Sequence, residues 1–130
     1  MNLQEFNTDI LNNLNAGYDD IRNHKKDLFE PGGILEEFAK NSKINSNQLR
    51  KFFNELRNLE YKVKSKGELD LVDLYKIIAI LAYSKGRKLL NDDDYIFLKK
   101  LMEKVNDKED FELLIEIFET IIAYRKLYQK

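Results

Sequence analysis

The sequence predicts an all-α protein, a single compact bundle of five to six helices. Three observations carry that expectation. The 130 residues include one proline and five glycines; both residue types are costly inside helices, so their scarcity suits a helical chain. Apolar residues recur at i, i+3, i+4 and i+7 along most of the chain, and no run alternates as a half-buried strand does. With 43% hydrophobic and 12% aromatic residues, the chain can fill a core, and its length is that of one domain. We therefore expect one helical domain over residues 1–130, without an internal repeat or linker.

The segment TDILNNLNAGYDDIRNHKKDLFE has helical spacing at Ile10, Leu11, Leu14, Tyr18 and Ile21. Gly17 and four asparagines weaken that pattern. The PGG at 31–33 stops whatever precedes it. A short helix follows from Ile34 to Lys40, with Ile34, Leu35 and Phe38 on one side. Asn45 or Ser46 caps the next helix, whose buried stripe is Leu49, Phe52, Phe53, Leu56, Leu59 and Val63. Gly67 is its expected left-handed stop.

A third clear helix spans Leu69 to Lys85. Only Asp70, Asp73 and Lys76 are charged before Lys85, so it reads as apolar nearly all round and belongs in the middle of the bundle. NDDD at 91–94 caps a helix to about Val105. NDKED at 106–110 caps the last one. There Phe111, Leu114, Ile115, Phe118, Ile121 and Ile122 form the core face, and Glu112, Glu116 and Glu119 an outer acidic stripe.

Composition narrows the function. There is no cysteine, so no disulfide scaffold and no thiolate metal site, in keeping with a reducing cytoplasm. The first residues lack a charged start followed by an apolar run, so no signal peptide is expected. The apolar run Ile77–Tyr83 is far too short to span a bilayer, and a soluble cytoplasmic protein is expected. The net charge of −1 is poor for a freestanding nucleic-acid-binding domain. The charge is uneven, however. Gln48–Gly67 carries Arg50, Lys51, Arg57, Lys62, Lys64 and Lys66 against only Glu55 and Glu60.

No catalytic constellation, metal site or cofactor site is expected. The single histidine, His24, reads as an exposed helix end, with no second histidine to pair with. Asp92, Asp93 and Asp94 offer oxygens suited to Mg²⁺, but they stand where carboxylates cap a helix and meet its positive end. Gly32 and Gly33 lack the spacing of a phosphate loop.

The basic helix is the stronger candidate. At 100° per residue Arg50, Asn54, Arg57, Tyr61 and Lys64 form one stripe, flanked by Lys51 and Asn58. Arginine forks suit phosphate oxygens, and acidic partners look scarce on the stripe. A second basic corner lies in LAYSKGRK (81–88). Gly86 is expected there as a left-handed cap, with Lys85, Arg87 and Lys88 complementing the negative helix end. A solvated face is the usual fate of such residues. Packed together, the corner and the stripe would form one positive patch.

Three stretches carry a resemblance: NQLRKFFNELRNLE (47–60), LAYSKGR (81–87) and DFELLIEIFETIIAYRK (110–126). In this order and spacing they resemble the small subunit of the type III-A CRISPR effector, the Csm complex. The resemblance covers about residues 44–128, and residues 1–43 read as a variable N-terminal helical segment. Ser84 and Thr120 stand where the family usually has alanine, and Arg125 where it has histidine.

The resemblance implies a non-catalytic, all-helical subunit present in several copies inside an RNA-guided antiviral particle. Its partners would be guide RNA, single-stranded target RNA, other subunits and further copies of itself, with no membrane involved. It implies backbone contacts through Arg50, Lys51, Arg57, Lys85 and Arg87. Lys64 on the stripe and Lys88 at the corner complete the candidate set. The alternative from the residues alone is a helical adaptor whose basic stripe docks an acidic protein without RNA. A magnesium-dependent enzyme using Asp92–Asp94 is the remote third.

Overall fold

Seven helical segments succeed one another over residues 17–128, the part of the chain that the computed structural model describes. They are α1 (Tyr18–Asn23), α2 (Lys25–Phe29), α3 (Ile34–Asn41), α4 (Ser46–Lys66), α5 (Leu71–Gly86), α6 (Asp92–Glu103) and α7 (Lys108–Tyr128). Helices α1 and α2 meet at His24 and make one broken helix, so the bundle has six helical pieces. No strand occurs among the described residues. The helical spacing read at Ile10, Leu11 and Leu14 lies outside them.

Local chemistry sets the boundaries. Gly32 takes φ 75°, and a side chain at Gly33 would run into the carbonyl oxygens of Asp27 and Glu30, so PGG turns the chain between α2 and α3. The Asn45 side chain accepts the Gln48 amide at 2.8 Å and caps α4. Gly67 closes that helix at φ 80°, its amide donating to the Val63 carbonyl. Asp70 caps α5 by accepting the Val72 amide; the helix starts at Leu71, two residues later than the apolar pattern suggests. Asn91 accepts the Asp94 amide and caps α6. Asp107 accepts the Asp110 amide at the start of α7.

The centre of the bundle is α7. Phe111, Leu113, Leu114, Ile115, Ile117, Phe118 and Ile121 are all buried, and the helix packs on α3 and α4. The expected central helix, α5, is peripheral. Its main neighbours are α4 and α6, and only Leu74, Ile77, Leu81 and Ser84 are fully buried. Val72, Tyr75 and Tyr83 are half or more exposed, at 54%, 50% and 62%. The outer face of α5 mixes small residues, Ala79, Ala82 and Gly86, with exposed Val72, Tyr75 and Tyr83. The buried sides of α7 carry two phenylalanines and a set of leucines and isoleucines.

Tethers between distant parts of the sequence fix the arrangement. The Tyr18 hydroxyl donates to the Leu101 carbonyl at 2.6 Å. Arg22 donates to the buried Asp110 at 2.6 Å. Arg125 donates to the Ala39 carbonyl at 3.1 Å, satisfying the end of α3, and the Tyr128 hydroxyl donates to Glu36. Phe38 and Phe97 stack with ring centroids 4.0 Å apart, joining α3 to α6.

Candidate nucleic-acid interface

The α4 stripe is half engaged inside the molecule. Arg57 donates to Glu60 at 2.8 Å and to Glu119 of α7 at 3.4 Å. Its guanidinium also lies 5.7 Å from the Phe53 ring centroid and 5.9 Å from that of Tyr61. Lys64 reaches Glu60 at 4.0 Å. The expected scarcity of acidic partners therefore does not hold: Glu60 serves two of the basic residues from within α4, and Glu119 comes from a helix the stripe could not reveal. Arg50 and Lys51 are exposed and make no ion pair among the described residues. The neighbouring Lys62 pairs with Asp73 at 2.8 Å and ties α4 to α5. Each partner shifts the other: Asp73 holds its proton less tightly than a free carboxyl because Lys62 donates to it, and Lys62 holds its own more tightly.

At the second corner the structure moves the left-handed residue. Gly86 is helical, with no positive φ, and Lys88 takes φ 65°. The Lys88 amide donates to the Lys85 carbonyl at 2.9 Å, and the Leu89 amide donates to the Ser84 carbonyl at 2.9 Å. These two bonds form a Schellman closure with lysine in the place usually held by glycine. Arg87 is the cap residue, and its guanidinium lies 5.8 Å from the Tyr83 ring. Lys85 pairs with Asp92 at 3.1 Å and lies over Tyr95. Arg87 and Lys88 are exposed without an ion pair among the described residues.

The two groups border different neighbours. Arg57 faces α7 through Glu119, whereas Lys85 faces α6 through Asp92. Of the seven candidates, Arg50, Lys51, Arg87 and Lys88 make no ion pair among the described residues, and Arg57, Lys64 and Lys85 are held by carboxylates. The exposed face of α5 carries apolar residues, interrupted by Lys76, that sequence reasoning placed inside. Val72, Tyr75, Ala79, Ala82 and Tyr83 recur at helical spacing on the exposed face of α5.

A shallow cleft at the start of α4 escaped the sequence reading. It is lined by Ser46, Leu49, Arg50, Ile122, Arg125 and Lys126. Arg125 and Lys126 come from the last turns of α7, so no local pattern joins them to Arg50; the only signal was two adjacent cations after an apolar run.

The acidic residues have structural work. The Asp94 carboxylate is buried at the α3–α4 junction, where it accepts the Ser42 hydroxyl and the Lys43 amide, both at 3.1 Å. Burial pushes its pKa above the ordinary carboxyl value, against the pull of those donors. Glu116 and Glu119 of the outer stripe reach Lys25 and Arg57. Among the described residues no three His, Asp or Glu side chains converge on a possible metal position. No helix there is long and apolar enough to cross a membrane.

Comparison with known families gives one match. The family model described as Csm2 Type III-A covers residues 22–130. It thus takes in α2 to α7 and part of α1, as well as the three stretches that carry the resemblance. No curated protein and no solved structure matches the chain significantly.

Proposed function

The chain belongs to the Csm2 family of structural subunits of the type III-A CRISPR effector complex, and from that membership we propose that it is a non-catalytic subunit contacting the backbones of guide and target RNA. It acts in the cytoplasm, in several copies per particle, beside other subunits. The observation that carries the RNA reading is the exposure of two adjacent pairs of cations, Arg50 with Lys51 and Arg87 with Lys88, none of which makes an ion pair among the described residues.

The physical logic follows from the net charge of −1. A near-neutral protein captures RNA weakly alone. Docked in several copies along RNA already held by neighbours, each copy adds a few contacts at high effective concentration. Such contacts go to phosphate and sugar and carry no sequence information. A guide-directed particle requires this, because base pairing does the reading. The exposed Val72, Tyr75 and Tyr83 of α5 support the subunit part of the reading: large apolar side chains grouped on a surface mark a contact with another macromolecule.

The test replaces Lys51 and Arg87 with glutamate in the reconstituted complex and measures target-RNA affinity at several salt concentrations. About three phosphate contacts per copy correspond to a log–log salt slope near −2, and each lost contact removes about 0.7. The variant should bind target RNA more weakly with a shallower slope, at unchanged circular dichroism. Wild-type affinity and slope would refute the assignment of these residues. Recovery of the native particle without RNA would favour the protein adaptor instead.

A further inference from the structure

We propose that the cleft between the first turn of α4 and the last turns of α7 binds one phosphate of an RNA backbone, gripped by Arg50, Arg125 and Lys126. Three of its six lining residues are cationic and none is acidic. Neither Arg50 nor Lys126 makes an ion pair among the described residues, and both are exposed. Several surface lysines, such as Lys40, Lys66 and Lys76, also make no ion pair among the described residues, but the cleft gathers its cations around one concavity. Like charges crowded without a counter-charge repel one another, and an anion entering between them relieves that repulsion.

Arg125 is the fixed member. Its Nη1 donates to the Ala39 carbonyl at 3.1 Å, which anchors the guanidinium plane. Its Nε is buried and has no hydrogen-bond partner among the described residues. A buried N–H without an acceptor is a cost that a bound ligand oxygen would remove. Ser46 adds a hydroxyl donor, and Leu49 and Ile122 give the cleft an apolar floor. Donors converging from two helices suit an anion with several oxygens, and guanidinium forks favour phosphate geometry.

The source of that phosphate rests on the RNA reading above, and the test separates the two claims. Complexes are assembled with Arg50→Glu, with Lys126→Glu, and with both. Target-RNA affinity and salt slope are compared with wild type and with the Lys51→Glu, Arg87→Glu variant. Lys126 is exposed at a helix end, so Lys126→Glu alone keeps the test intact should Arg50→Glu disturb α4. The expected result is several-fold weaker binding in each single variant, a larger loss in the double variant, and a slope shallower by about 0.7 per lost contact. Unchanged binding in the cleft variants, with loss in the Lys51, Arg87 variant, overturns the cleft and leaves the RNA reading standing. Unchanged binding in every variant overturns both. Loss of a protein subunit from the particle, with RNA affinity retained, identifies an acidic protein segment as the occupant and also overturns the proposal.

Discussion

Replacing Gly86 with alanine should stabilise the protein. Gly86 is the last residue of α5, has no positive φ, and an added Cβ there would meet nothing within 4 Å. Alanine in a helical position is favoured over glycine by about 0.5–1 kcal/mol, because glycine loses more backbone freedom on folding. At the final turn the lower half of that range is the reasonable expectation. For a domain of this size it corresponds to a rise in Tm of about 2–3 °C. Were Gly86 the left-handed cap, the same change would force alanine into a conformation costing about 1–2 kcal/mol and lower Tm. The two arrangements therefore differ in sign. The assay is thermal unfolding of the full chain at neutral pH, followed by far-UV circular dichroism. Lys88→Gly is the companion variant: it relieves the φ of 65° and should raise Tm by a similar amount. A lower Tm for Gly86→Ala, with no gain for Lys88→Gly, would refute this account of the α5 terminus.

Other outcomes follow from the tethers. Tyr18→Phe removes the donor to the Leu101 carbonyl from a side chain that is 2% exposed; it should cost about 1–3 kcal/mol, read as a lower denaturant midpoint at unchanged slope. The Lys62–Asp73 pair gives a pH dependence with a defined sign. Asp73 has its pKa lowered by Lys62, so its contribution is present above the unfolded carboxyl value and is lost as pH falls through the lowered folded value. Lys62 has its pKa raised, so its contribution is full below the unfolded lysine value and is lost as pH rises through the raised one. Asp73→Asn should flatten the acid side of a plot of Tm against pH, and an unchanged acid limb would show that the pair does not couple α4 to α5.

The helices and most of their ends were legible because they depend on short stretches. Apolar spacing marks a buried face wherever it packs, and Asn45, Gly67 and Asn91 act on amides or carbonyls within four residues of themselves. What was not legible depends on partners far along the chain. Spacing tells which face is buried but not how many neighbours cover it, so α5 and α7 could not be ranked, and α7 took the centre. The residue that turns left-handed depends on where the helix lets go, and Lys88 rather than Gly86 holds that place. Arg57 looked free although Glu60, three residues on, was in view; only its second partner, Glu119, lies on another helix. Asp94 read as a helix-start carboxylate; the chain from Ser42 to Lys43 that it holds is about fifty residues away. The cleft joins Arg50 to a pair of residues that read only as the polar end of α7.

The central position of α7 has a consequence for synthesis. The helix that α3 and α4 pack against is the last of the described helices to be synthesised, and chains grow at about 5–20 residues per second. Until it emerges, α3 has Phe97 of α6 against Phe38 but lacks its largest packing partner, and the Ala39 carbonyl waits for Arg125. Nascent chains arrested before Lys108 lack that packing and should be cleaved more readily by protease than chains that include α7.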